Sequence, residues 1–471
     1  MKQLGTAVLW LLVFATVDLV GQQAPSSSAP SSFTLRQAVE FALAHYPQAR
    51  AAAQKLIAAQ AGVKLARTDY LPHADMMWQS NRGTYNNITG QLLPQNVLPS
   101  LSGIVLPDSS SRSAWNMGAG ALLSWQPFDF GLRAANVNVA RAGQHGAEAQ
   151  LEVTKLEVEA NAANAFLEAA AAQQLTLSAK ANVDRRETLA KSIHVLVDNQ
   201  LRPGADASRA DAQLAAARTQ FLRASQTEEE ALIGLAQALG IAGQSIEIAP
   251  GSLASAAPQI PVAEPNVSMN PSATFAFSEV EESQARERAL DRSYVPQFRL
   301  QSGISGRGSG VKNTGEFLGG DRGLIPDRYN WAFGVTATFS PFDFFSLRAR
   351  KQIEAANERG ARGQYDQTIQ QLTAQEQRAR ISLETSIEIA KNAEIALSAA
   401  QQLNRQAEAR YKSGLATLVE LADAQQLLVN AESEEAVAKL SVWRSLLATG
   451  FATGDLTSFL DAVGKAAASP Q

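Results

Sequence analysis

The sequence predicts a membrane α+β fold, laid out twice in tandem, in which pairs of short strands alternate with very long helical hairpins. Three observations predict it. The same landmarks recur in the same order in both halves of the 471-residue chain. Two stretches in each half switch to a two-residue hydrophobic period. Each half also carries one long proline-free run of strong helix formers.

The N-terminus comes first. Lys2 precedes an apolar stretch from Ala7 to Val20, and a Pro/Ser-rich run follows at 24–32. This is the pattern of a secretory signal, so residues 1–30 read as a signal peptide and flexible N-terminus. No later stretch is apolar enough to cross a bilayer as a helix, so passage through a membrane must use strands. The totals exclude several classes of function. A formal net charge of -4 gives no basic surface for nucleic acid. The lack of cysteine removes disulfides, thiolate metal sites, cysteine nucleophiles and an N-terminal lipid anchor. His45, His73, His145 and His194 are scattered, which argues against a metal site built on imidazole. No nucleophile, base and orienting group form a motif, so the sequence predicts no catalytic residue and no cofactor.

The tandem plan rests on paired landmarks. Tyr46-Pro47 and Asn270-Pro271 each open a helical stretch that ends at Tyr70-Leu71-Pro72 or Tyr294-Val295-Pro296. Next come Pro127-Phe128-Asp129-Phe130 and Pro341-Phe342-Asp343-Phe344, each followed by a Leu-Arg pair, Leu132-Arg133 or Leu347-Arg348. Pro127, Asp129, Pro341 and Asp343 therefore mark strand-to-helix junctions. Each long helix breaks at a glycine, Gly204 or Gly414, before the shared runs Ala210-Asp211-Ala212-Gln213 and Ala422-Asp423-Ala424-Gln425. The expected organisation is a first repeat over 31–240, a Pro/Ser/Ala-rich linker over 241–270, a second repeat over 271–455 and a C-terminal tail over 456–471.

Four segments read as strands: Ala74–Arg82, Trp115–Trp125, Phe298–Arg307 and Trp331–Phe339. In the second, Trp115, Met117, Ala119, Ala121, Leu123 and Trp125 alternate with Asn116, Gly118, Gly120, Leu122 and Ser124. In the fourth, Trp331, Phe333, Val335 and Phe339 alternate with Ala332, Gly334, Thr336 and Thr338. Lengths of about 9–11 residues suit tilted transmembrane strands, with small and polar residues toward a lumen and apolar ones toward lipid. Four strands cannot close a barrel, and an open edge cannot face hydrocarbon, so a symmetric oligomer sharing one barrel is expected. The long connections at about 83–114 and 308–330 fit extracellular loops. Gly306-Arg307-Gly308-Ser309-Gly310 reads as loop-like and lacks the phosphate-loop pattern.

The proline-free runs extend from Leu132 to about Gln200 and from Leu347 to about Lys412, so each helix should run roughly 100 Å at 1.5 Å per residue. Stripes at Val153, Leu156, Ala160, Ala163 and Leu167, and at Leu383, Ile387, Ala390 and Leu397, give each helix a face to bury. The helices alone would also fit a structural coiled-coil periplasmic protein without a pore; that alternative leaves the paired strands unexplained. The hairpin tips fall at Arg202-Pro203-Gly204 and Ser413-Gly414-Leu415, where both glycines are expected to supply the left-handed conformation that ends a helix.

These pieces together resemble the TolC-like outer-membrane efflux protein family over nearly the whole mature length. The match lies in Leu35-x-x-Ala38-Val39-x-x-Ala42-Leu43 with Pro47, Leu71-Pro72, Trp125-Gln126-Pro127-Phe128-Asp129-Phe130-Gly131, and Tyr411-x-x-Gly414 with Asp423-Ala424-Gln425. The resemblance implies a homotrimer in which each protomer gives four strands to a twelve-stranded barrel and its long helices to a periplasmic tunnel. It implies a passive outer-membrane duct of a Gram-negative-type bacterium, surrounded by outer-membrane lipid. A periplasmic adaptor protein would dock at the tips and connect to an inner-membrane pump of the RND, ABC or MFS type. It also implies a periplasmic gate: acidic residues six and nine positions after the tip glycine, here Glu420 and Asp423, would ring the constriction. Tyr411 matches a position whose hydroxyl helps lock the closed tip to the neighbouring hairpin. The chain departs at Ala416, where relatives can carry a basic locking residue.

Overall fold

The computed structural model describes residues 32–84, 86, 109–254, 266–312 and 314–468. The expected signal segment lies outside these residues, as do most of the first long connection and part of the linker. The first half runs β1 (Ser32–Phe33), α1 (Leu35–His45), α2 (Pro47–Thr68), β2 (His73–Thr84), β3 (Ser113–Phe128), α3 (Leu132–Asp198) and α4 (Gly204–Ala238). After β4 (Glu247–Ile248) come α5 (Pro271–Asp291), β5 (Gln297–Ser309), β6 (Arg328–Thr338), α6 (Asp343–Lys412), α7 (Leu418–Thr453) and α8 (Thr457–Ala468). The proline landmarks are helix starts: Pro47 and Pro271 sit in the first turns of α2 and α5, where a missing N–H costs nothing. Thr34 and Gln37 close a capping box on α1.

The four main strands form one antiparallel sheet in the order β2-β3-β5-β6. Register makes it two-faced. The row Met76–Ala121–Ile304–Trp331 and its neighbour Ala74–Leu123–Ser302–Phe333 lie on one side. Met76, Ile304, Trp331 and Phe333 are 91%, 63%, 79% and 63% exposed, an apolar face left open at these rows among the described residues. The opposite face carries Asp75, Gln79, Asn81, Asn116, Ser124, Gln301, Ser305 and Thr336. β3 is longer than the sequence suggests, reaching Phe128 through an irregular register between Trp125 and Phe128. Both outer strands, β2 and β6, have a free edge among the described residues.

Gly306 to Ser309 belong to β5 and pair with β3, Gly306 and Arg307 also with β6, which corrects the loop reading of this stretch. The glycines are there for close approach. A Cβ on Gly308 would stand 2.1 Å from the Ile325 carbonyl oxygen, and one on Gly323 would stand 1.6 Å from that of Trp115. The connection between β5 and β6 thus folds back onto the sheet instead of standing clear of it.

α3 and α6 have 67 and 70 residues, so each runs about 100 Å. Two cores hold them. One is equatorial, halfway along α3, and joins Phe33, Leu35, Phe166, Leu167, Leu239, Trp443 and Phe459. Trp443 is fully buried, donates its indole N–H to the Leu253 carbonyl at 3.1 Å and meets Phe459 edge-on. The stretches read as linker and tail take part here: β4 pairs in parallel with β1, and α8 places Phe459 and Val463 in the core. The second core, at the far end, joins Ile193, Ala207, Tyr411, Leu418 and Leu421 from both hairpins.

Candidate functional site: the hairpin tips and the strand-to-helix junctions

At the second tip, Gly414 takes φ 73 and bonds its N–H to the Tyr411 carbonyl, while the Leu415 N–H reaches Arg410. At the first tip, Gln200 takes φ 62, its N–H reaches Val197, and the Leu201 N–H reaches Leu196. These are the same double-bonded helix stop. Gly204 is not left-handed; it is the first residue of α4, behind Pro203 as cap. The structural counterpart of Gly414 is therefore Gln200. Counted from these stops, the run at Ala210 comes ten residues on and the run at Ala422 eight, so the first hairpin has two residues more. Pro203, Gly204, Ser413, Gly414 and Leu415 are all exposed.

Glu420 and Asp423 stand on the exposed side of the first turns of α7, while Leu418, Leu421, Ala422, Ala424 and Gln425 face inward. Thr417 caps the helix by accepting from the Glu420 N–H at 3.2 Å, and its hydroxyl donates to the Glu420 carboxylate at 3.3 Å. An acid here also faces the positive end of the helix dipole. Tyr411 is brought to the same place, in the core that joins the two tips. Its hydroxyl is buried in its own protomer without a hydrogen-bond partner among the described residues. Its ring lies 5.2 Å from the Arg202 guanidinium, tying the two tips of one protomer together.

Above the tips lies a polar layer that the sequence did not announce. Arg186 of α3 is 6% exposed and donates to Gln213 of α4 at 2.9 Å and to the Ala422 carbonyl of α7 at 3.3 Å. Burial, with Arg185 beside it, pulls its pKa below the usual guanidinium value. Asn182 and Gln425 each hold a buried carbonyl oxygen without a partner among the described residues. Arg185 makes a two-point pair with Glu432 at 3.2 and 2.7 Å. Nothing in a proline-free run of alanines marks Arg186 as inward-facing.

The two junctions differ. Asp129 is 9% exposed and accepts from the Gly131 N–H at 3.1 Å, the Arg133 N–H at 2.7 Å and the Arg133 side chain at 2.8 Å. Arg133 also reaches the Asp69 carbonyl at 3.2 Å and the Tyr70 ring at 4.7 Å. Burial pushes the Asp129 pKa up, but these bonds and the guanidinium charge outweigh it and hold the carboxyl below its ordinary range. Phe130 at φ 53 and Gly131 at φ 90 make the sharp turn from strand to helix. Pro127 is half-buried beside it. Asp343, by contrast, is exposed and simply opens α6. Pro341 contributes its carbonyl, which accepts from the Tyr294 hydroxyl at 3.1 Å. The reason is a single inserted residue: Arg133 follows Asp129 by four, whereas Arg348 follows Asp343 by five and points elsewhere on the helix.

Among the described residues, no group of three or more His, Asp or Glu is placed to hold a metal ion, and no helix is long and apolar enough to cross a membrane. The outer membrane efflux protein family model matches residues 38–241 and 270–454. The protein CyaE of Bordetella pertussis (strain Tohama I) is 29% identical over 247 residues, which span 50% of this chain and 47% of that protein. The chain thus spans about half the length of this curated relative. The solved outer-membrane channel OprN has a TM-score of 0.70 at 21% identity, covering 89% of each chain. The outer membrane protein VceC from Vibrio cholerae has a TM-score of 0.69 at 18% identity, covering 89% of this chain and 96% of that one.

Proposed function

The chain belongs to the outer membrane efflux protein family, and from that premise we propose that it is one protomer of a homotrimeric exit duct. It is an outer-membrane protein and not an enzyme. In the proposed assembly each protomer lends its four strands to a twelve-stranded barrel, and α3, α4, α6 and α7 line a tunnel through the periplasm. The two-faced sheet with both edges free carries this reading. In an alternating antiparallel order, β6 and the β2 of a neighbouring copy run in opposite directions, so copies can close the ring with the same pairing that holds each one together. Apolar residues then meet lipid and polar ones surround water.

The tips, Arg202 to Gly204 and Ser413 to Leu415, are the proposed docking points for a periplasmic adaptor, which links the duct to an inner-membrane pump of the RND, ABC or MFS type. The pump supplies the energy and selects the cargo, in tripartite efflux or type I secretion. Three copies would bring Glu420 and Asp423 together around one axis as a cation-attracting gate. The test is conductance in planar bilayers. Open or transient channels are expected from detergent-extracted trimers, and replacing Glu420 and Asp423 together with alanine should weaken block by divalent cations. A detergent-independent monomer without any conductance would refute the duct. Unchanged divalent block in the double variant would reject the gate alone.

A further inference from the structure

The polar face of the sheet is unevenly charged. The strands carry ionised side chains at Asp75, Arg82, Arg299, Arg307 and Arg328. Arg82 lies on the apolar face, its guanidinium 5.6 Å from the Trp115 ring. The others share the polar face, three arginines against one aspartate. Asp75 is already engaged by His73 at 3.1 Å. It stands in the row Asp75–Leu122–Gly303–Ala332, two rows of this face away from Gln79–Gly118–Arg307–Arg328.

In that last row Arg307 and Arg328 are direct cross-strand partners. Like charges set opposite each other weaken a sheet. Neither forms an ion pair among the described residues. Both sit at the end of the sheet farthest from the helices, because β5 begins at Gln297 just after α5 and β6 ends at Thr338 just before α6. An anion held between two guanidinium groups would offset their repulsion, and each fork can grip a carboxylate or phosphate through two N–H donors.

We propose that Arg307 and Arg328 form an anion-binding belt inside the outer mouth of the barrel, taking carboxylate, sulfate or phosphate groups of solutes in transit. The belt rests on the duct reading, since closure puts this face around water and three-fold symmetry gathers six guanidinium groups at one level. Its charge is opposite to that of Glu420 and Asp423, which lie at the far end of helices about 100 Å long. Sidedness therefore separates the two.

The experiment uses single trimers in planar bilayers with inositol hexakisphosphate added from the extracellular side. Wild type should be blocked. Arg307→Gln with Arg328→Gln should raise the half-blocking concentration on the order of tenfold and move the reversal potential in a KCl gradient toward cation preference. Lysine at both positions should keep block within about threefold, since the charge is retained. In wild type, raising KCl from about 0.1 to 1 M should weaken block strongly, because the Debye length shortens from about 10 to 3 Å. Normal conductance with unaltered block and selectivity in the glutamine variant overturns the belt and leaves the duct standing, as does a salt-independent block in wild type. Absence of conductance in every form overturns the duct, and the belt with it.

Discussion

Asp129→Ala should loosen the start of α3 far more than Asp343→Ala loosens the start of α6, although both aspartates occupy the same place in Pro-Phe-Asp-Phe. Asp129 satisfies the backbone N–H of the cap residue Gly131 and that of Arg133 in the first turn, and pairs with the Arg133 side chain, which is 10% exposed. A lost N-cap costs about 1 kcal/mol, and removing one partner of a buried pair about 3–5 kcal/mol. Because one oxygen serves both the Arg133 N–H and its side chain, these do not add fully, and about 4 kcal/mol is the expected loss. That is roughly a 10³-fold rise in local opening. Hydrogen exchange at Leu132 to Val137 in detergent reads it directly. Asp343→Ala, at an exposed residue without a side-chain bond, should stay within about 0.5 kcal/mol. Equal effects at the two sites, or less than about a tenfold rise after Asp129→Ala, would refute the reasoning. The sign with pH follows from the lowered pKa. The unfolded carboxyl titrates near its ordinary 3.8, so the stabilisation is complete above that value and disappears as pH falls through the lower folded value.

Three further changes test other parts of the fold. Gly454 has φ 85, and a Cβ there would stand 2.6 Å from the Pro271 ring and 2.7 Å from the Asn270 Cα; Gly454→Ala should cost about 3 kcal/mol or more and sharply cut the yield of folded protein. Gly414→Ala, with φ 73 but open space around it, should cost only about 1–2 kcal/mol in a thermal unfolding series. His194 lies 2.9 Å from Asp211 across the first hairpin, and that hydrogen bond and charge raise its pKa above 6.5. Its contribution is therefore present below the unfolded value and lost as pH rises through the folded one. An NMR titration should show the raised midpoint, and Asp211→Asn should return it toward 6.5.

The strands and long helices were legible because their signal is periodic. Alternation at Trp115–Trp125 placed the two faces correctly, and the stripe at Leu156, Ala163 and Leu167 is buried in the equatorial core. What was misread depends on contacts distant in sequence. Pro203-Gly204 looked like the helix stop, yet Gln200 takes the left-handed backbone, with its own N–H and that of Leu201 bonded to the Val197 and Leu196 carbonyls of α3. Gly306 to Gly310 looked like a loop because glycine is scarce in strands, but here the chain at 323–326 must approach within backbone distance. The candidate gate was half legible: three-residue spacing correctly put Glu420 and Asp423 on one exposed face, whereas the enclosure of Tyr411 and the inward turn of Arg186 follow from packing between hairpins.

The equatorial core grips α3 only as far as Ala170, leaving the 28 residues from there to Asp198 to reach the tip. Those residues are a lever arm about 42 Å long, and the core is its fulcrum. A swing of some five degrees at the fulcrum displaces the end by about 4 Å, roughly the width of a water molecule plus its contact shell. Very small repacking around Phe166 and Trp443 is thus mechanically amplified at the far end of the arm.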